Sequence, residues 1–108
     1  MAKYLFIESR DPFTSKETEN DYEMAVRLAH AGNTVTLFLV QNGVLPARRE
    51  SAPDRIAKIA ANGVEILGDE FSLRERGIAR EELADGVTPA GLEVVVDQLA
   101  QGTKTVWL

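Results

Sequence analysis

The run at residues 34–40, Thr-Val-Thr-Leu-Phe-Leu-Val, constrains the fold more than any other part of this sequence. It is β-branched, aliphatic and aromatic with scarcely a polar residue, which marks a central strand. A strand without a polar face needs cover on both sides. Shorter apolar runs stand at residues 4–7 and 64–67, and stretches with helical spacing lie between them. That alternation is the signature of a mostly parallel sheet with helices on both faces. A chain of 108 residues is expected to form one domain. At this size only about two-thirds of the unfolded chain's surface is buried, so a partner surface would add to its stability.

The punctuation places the remaining elements. Thr14 and Glu17 have capping-box spacing, and Tyr22, Val26 and Ala29 then recur at helical intervals up to the stop signal Gly32-Asn33. Gln41-Asn42-Gly43 reads as a turn, and residues 46–51 as an irregular basic loop. Ser51 or Ala52 ahead of Pro53, with Asp54 in the first turn, opens a second helix that buries Ile56, Ile59 and Ala60 and ends at Asn62-Gly63. A short helix is expected around residues 72–76, a helical turn near 81–83, and a brief fourth strand at Val87-Thr88. Thr88-Pro89 then opens a helix with Leu92, Val95, Val96 and Leu99 on one apolar face. Gly102 closes it, and Thr105-Val106-Trp107-Leu108 form a last strand, docked in the sheet or at a subunit interface. Trp107 fits either core packing or self-association there.

Composition excludes several chemistries. There is no cysteine, which removes disulfides, cysteine-ligated zinc, iron–sulfur clusters and any thiol nucleophile. One histidine, His30, cannot build a multi-histidine metal site, and at a helix end it reads as solvated. The net charge of −5, with no basic run longer than Arg48-Arg49, opposes binding to nucleic acid or to anionic membranes. The apolar run behind Lys3 turns polar at Glu8, too short for a signal or membrane segment, so a cytoplasmic protein is expected.

In order along the chain, Lys3 to Ile7, the strand at 34–40 with Gly43-Val44, and Asn62-Gly63-Val64 resemble the DsrE/DsrF-like proteins. So do Ser72-Leu73-Arg74-Glu75-Arg76-Gly77-Ile78, Glu82-Leu83 with Gly86-Val87, and Lys104 to Leu108. The sharpest part is Leu-x-x-Arg-Gly-Ile followed by Leu-x-x-Gly-Val. The resemblance implies a flavodoxin-like three-layer domain with about five strands, assembled as a homotrimer, a homohexamer or a hetero-oligomer. It also implies, for several members, sulfur transfer as a cysteine persulfide. The relay cysteine of the family falls seven positions before Arg76, at Asp69, or in some members directly before the Leu-x-x-Arg-Gly stretch, at Ser72. A persulfide needs a polarizable sulfur that ionises near neutral pH. Neither a carboxylate nor an unactivated hydroxyl supplies one. The relay chemistry therefore does not carry over, while a subunit role does.

In open α/β sheets ligands sit beyond the carboxyl ends of the strands. The groups expected there are Glu8, Ser9, Arg10 and Asp11, then Gln41 and Asn42, then Asp69 and Glu70, with Ser72 and Arg76 close behind. If the first and third strands are neighbours, Glu8 or Asp11 approaches Asp69 to form a carboxylate cluster suited to Mg²⁺. The plainer reading is that strand ends are polar because they meet water. A receiver-like phosphoacceptor would use Asp69, but it wants a lysine after the last strand, and Lys104 stands before it. No GxGxxG or Walker loop follows the first strand, and Thr14 and Ser15 read as helix caps. Arg76 is expected to pair with Asp69 or Glu75, or to bridge subunits. The expectation is a cysteine-free, non-catalytic subunit without a cofactor, with small-molecule or Mg²⁺ binding as the alternative.

Overall fold

Among the described residues five parallel strands form one sheet in the order β4-β3-β2-β1-β5. They are β1 (Lys3–Glu8), β2 (Thr34–Leu39), β3 (Glu65–Asp69), β4 (Val87–Ala90) and β5 (Lys104–Trp107). The helices are α1 (Glu17–His30), α2 (Pro53–Ala61), α3 (Glu70–Glu75) and α4 (Glu93–Ala100). The computed structural model describes residues 1–50 and 53–108. The expected cap of α2 at Ser51 or Ala52, and the place of Asp54 in its first turn, lie outside the described side chains.

Side-chain alternation along the strands divides the core. On one face Phe6, Val35, Leu37, Leu39 and Ile66 pack with Tyr22 and Ala25 of α1 and Ile56 and Ile59 of α2. On the other, Leu5, Ile7, Phe38, Val40 and Leu67 pack with Val94 and Val95 of α4. Helices therefore cover both faces, giving the expected three layers. Strand β2 is buried along almost its whole length, as a run without a polar face requires. No helix among the described residues is long and apolar enough to cross a membrane.

Several local expectations change. Thr14 does not cap α1: Asp11 takes its N–H and its hydroxyl, closing a turn after β1, and the helix starts at Glu17. Bonding to the carboxylate turns the Thr14 side chain toward Asp11 rather than toward the first N–H groups of the helix. The stop signal works as read, with Gly32 at φ 93° and Asn33 N–H returning to the Leu28 carbonyl. The turn at Gln41 continues as a 3-10 helix, Gln41–Ala47. The basic loop after it is anchored rather than irregular, because Arg48 bridges Leu83 and Arg49 N–H donates to the Glu82 carbonyl at 2.7 Å. Strand β3 runs two residues past Leu67, so α3 begins at Glu70. Thr88 and Pro89 belong to β4, not to a helix. An edge strand tolerates proline because one of its sides carries no ladder. Helix α4 then presents Val94 and Val95 to the sheet and leaves Leu92, Val96 and Leu99 exposed, so its predicted apolar face is mostly not the buried one.

Candidate functional site

The carboxyl ends of the strands carry two separate polar clusters. The first follows β1. Glu8 is the last residue of that strand and is fully buried on the α1 face, two positions beyond Phe6. Its Oε2 accepts from Arg10 N–H at 3.2 Å and lies 3.8 Å from Arg10 Nε. Among the described residues its Oε1 has no hydrogen-bond partner, and neither do the buried Arg10 Nε and Tyr22 Oη. Arg10 extends its other nitrogens to Glu17 at 2.5 Å and Asp21 at 3.5 Å, one helical turn apart on α1.

Burial pushes the Glu8 carboxyl up to about 7, the neighbouring Asp21 carboxyl adds to this, and Arg10 opposes it. Burial and then the Glu8 charge likewise raise the Tyr22 phenol. The Glu8 carboxyl therefore keeps its proton at pH values where an ordinary carboxyl has lost it. Asp11 closes the cluster as a turn-maker: its carboxylate accepts from Phe13 N–H, Thr14 N–H and the Thr14 hydroxyl. Ser9 donates to the Leu108 carbonyl at 3.3 Å, tying β1 to the end of β5.

The second cluster follows β3. Asp69 caps α3: its Oδ2 accepts from Ser72 N–H at 3.0 Å and from the Ser72 hydroxyl at 2.7 Å. The Ser72 oxygen in turn accepts from Gln41 N–H at 2.8 Å, across the end of β2. Gln41 reaches this geometry with φ 51°, in the left-handed region. Asp69 and Ser72 are 5% and 4% exposed, so the bonds between them are interior. Arg76 lies alongside and donates to Asn42 Oδ1 at 3.1 and 3.2 Å and to the Ser72 carbonyl at 3.2 Å. It does not pair with Asp69 or Glu75. The Asn42 amide oxygen and the Ser72 carbonyl are the acceptors within its reach.

The two clusters do not merge. Strand β2 lies between β1 and β3, so the first and third strands are not neighbours. Alternation also sets Glu8 with Phe6 on the α1 face and Asp69 with Leu67 on the α4 face. Glu8, Ser9 and Asp11 are brought together, and so are Asn42, Asp69, Ser72 and Arg76, but the first group does not meet the second. Among the described residues no group of three or more His, Asp or Glu is placed to hold a metal ion. Lys104 starts β5, at the far end of the sheet from Asp69, which removes the lysine a phosphoacceptor reading needs. His30 is exposed and meets the Asn62 side chain at 2.9 Å.

Sequence reading missed Asp21 and the Gln41 N–H. The i, i+4 pair Glu17 and Asp21 downstream of Arg10 carried a signal for the first. Nothing in a side-chain pattern announces a backbone donor.

Close approach of backbone fixes the rim. A Cβ on Gly43 would collide with the Glu8 carbonyl oxygen, which already accepts from Val40 N–H at 3.0 Å. Gly43 thus lets the 3-10 helix lie directly on the end of β1.

No curated protein matches the chain. Among solved structures, ychN protein from E. coli superposes with a TM-score of 0.85 at 22% identity, with 100% of each chain covered. A protein of unknown function from Methanobacterium thermoautotrophicum, MTH1491, gives 0.83 at 18%, again over 100% of both chains. A conserved protein of unknown function from Bacteroides thetaiotaomicron, BT1422, gives 0.80 at 15%, over 98% of this chain and 94% of that one. At such identities these likenesses establish the fold. The DsrE/DsrF-like family model matches residues 2–108, nearly the whole length, and the chain belongs to that family.

Proposed function

We propose that this chain is a cysteine-free, non-catalytic subunit with a structural or binding role in intracellular sulfur trafficking. It works in a homo-oligomer, a trimer or a hexamer, or beside a cysteine-bearing DsrE-like subunit. One observation carries the reading. The two positions where the family resemblance puts a relay cysteine hold Asp69 and Ser72, and these are bonded to each other as the buried cap of α3. Oxygen at both positions accepts no sulfane sulfur. The serine hydroxyl donates to the Asp69 carboxylate that caps α3 and receives the Gln41 N–H, so it is engaged in a buried structural contact. Family membership supplies the sulfur context. The candidate binding residues in this role are Glu8, Ser9 and Asp11 at the end of β1, and Asn42, Asp69, Ser72 and Arg76 at the ends of β2 and β3.

The test is transfer of labelled sulfane sulfur, with intact-mass detection, to this chain alone and to its mixture with a cysteine-bearing family member from the same cells. The reading predicts no covalent sulfur on this chain and a change in transfer rate on the partner when this chain is added. Covalent labelling of this chain, or an unchanged rate on the partner, defeats it.

A further inference from the structure

Arg10 stands among three carboxyl groups and serves them unequally. Its terminal nitrogens reach Glu17 at 2.5 Å and Asp21 at 3.5 Å, while its Nε stays 3.8 Å from Glu8 Oε2, beyond hydrogen-bond reach. One guanidinium carries one positive charge and does not neutralise three negative ones. Glu17 has a side chain 71% exposed, so water answers for it. The Asp21 side chain is 13% exposed and that of Glu8 not at all, so the closed part of the cluster sets two carboxyl groups against one cation. A second buried negative charge is costly, and one proton removes it.

The hydrogen bonds place that proton. Glu8 Oε2 already accepts from Arg10 N–H at 3.2 Å. Oε1 is buried, and among the described residues no group donates to it. A charged oxygen there would lose its hydration and gain nothing in return. A protonated carboxyl instead has one O–H to donate, and the acceptor facing it is the Asp21 carboxylate. An O–H bonded to a charged oxygen is among the strong hydrogen bonds. Asp21 has the guanidinium and some water and is the better place for the charge; Glu8 has neither within bonding distance and is the better place for the proton. The other groups around the pair are engaged or neutral. Arg55 of α2 pairs with Glu19 at 2.9 Å, and the Asp11 carboxylate is taken up by Phe13 and Thr14. The Tyr22 hydroxyl bonds to neither carboxyl, and the 3-10 helix over the strand end carries no titratable side chain.

We propose that Glu8 and Asp21 form a carboxyl dyad that holds one proton between them, with Glu8 Oε1 as donor and the Asp21 carboxylate as acceptor. The ligand of this site is the proton itself. Glu8 is sealed, so the proton enters and leaves through Asp21, the member that meets water. With the proton in place the dyad ties the end of β1 to α1. Its loss sets two carboxylates face to face, and the unpartnered Nε of Arg10 is the nearest donor able to answer. The site stands independently of the trafficking reading.

Carboxyl carbon-13 NMR of the labelled full chain, followed from about pH 3 to about pH 9, tests the sharing. A shared proton belongs to the pair, so the Glu8 Cδ and Asp21 Cγ signals are expected to move together in a step at about 7. Asp21→Asn lowers the Glu8 step by about one pH unit or more, and Glu8→Gln removes that step from the Asp21 signal. The amide spectrum of each variant reports whether it is folded, and the wild-type signals decide by themselves should a variant unfold. A Glu8 step that Asp21 does not follow, a Glu8 step unmoved in folded Asp21→Asn, or an Asp21 step that persists in folded Glu8→Gln overturns the proposal. The proton on Glu8 would then be held by burial alone.

Discussion

Replacing Glu8 by glutamine is expected to stabilise this protein at alkaline pH and to change the way its stability depends on pH. The carboxyl is fully buried, faces Asp21, and titrates at about 7 instead of the ordinary 4.5. Between those two values the folded chain holds a proton that the unfolded chain has released. Stability therefore falls as pH rises through that window, by up to ~1.4 kcal/mol for each pH step. Below 4.5 both states are protonated and the group contributes nothing; above about 7 the loss is complete. Its ceiling is about 3 kcal/mol, and relaxation of Arg10 toward the ionised carboxylate brings the expected loss to about 1–3 kcal/mol. Glutamine has the shape of the protonated acid and cannot ionise, so the variant escapes the loss. Urea unfolding from about pH 4 to about pH 9, followed by far-UV circular dichroism because exposed Trp107 reports folding poorly, measures it. The midpoint of Glu8→Gln should exceed that of wild type by roughly 1 M urea or more at pH 8.5, with the difference vanishing near pH 4.5. Asp21→Asn should shrink the wild-type slope, since Asp21 helps to raise the group. Parallel pH profiles for wild type and Glu8→Gln would refute the reasoning.

Three other outcomes follow from the same geometry. Ser72→Ala removes the bridge between Asp69 and Gln41 N–H, leaving a half-buried N–H without its acceptor and the buried Asp69 carboxylate one donor short; a loss of about 1–3 kcal/mol is expected in chemical denaturation. Gly43→Ala drives a Cβ into the Glu8 carbonyl, and because backbone cannot move aside as a flexible side chain can, a loss of about 2 kcal/mol or more is expected in thermal unfolding. Calorimetric titration with Mg²⁺ should show no binding in the micromolar range, since Glu8 and Asp69 lie on opposite faces with β2 between them; binding abolished by Asp69→Ala would reinstate the carboxylate site.

The sheet was legible because a run such as residues 34–40 has no face that water could cover; β1, β2 and β3 fall on such runs within a residue or two, while the edge strands β4 and β5 fall on the short segments read at Val87-Thr88 and Thr105 to Leu108. Helix boundaries were legible where glycine forced them, as at Gly32 and Gly102, both with positive φ. The capping box at Thr14 failed because spacing identifies a possible acceptor but not where its side chain turns, and Thr14 turns back to Asp11. Proline misled at Pro89 because a helix start and an edge strand tolerate it equally. The apolar positions of α4 were read correctly as a face, but a pattern does not say whether that face meets its own sheet or another molecule. The polar residues at the strand ends were identified by position, whereas their division into two clusters depends on strand order. Strand order comes from how connections cross the sheet, which single-residue patterns do not carry.

The reading of this chain as an assembling subunit of sulfur trafficking is met most directly by native mass spectrometry of the tagged protein isolated from its own cells at low expression. The account predicts an assembly, either of copies of this chain alone or of copies beside a small cysteine-bearing subunit of the same family, with any added sulfane sulfur mass on the partner alone. A strictly monomeric chain with no such partner, or sulfane sulfur carried on this chain itself, would contradict it.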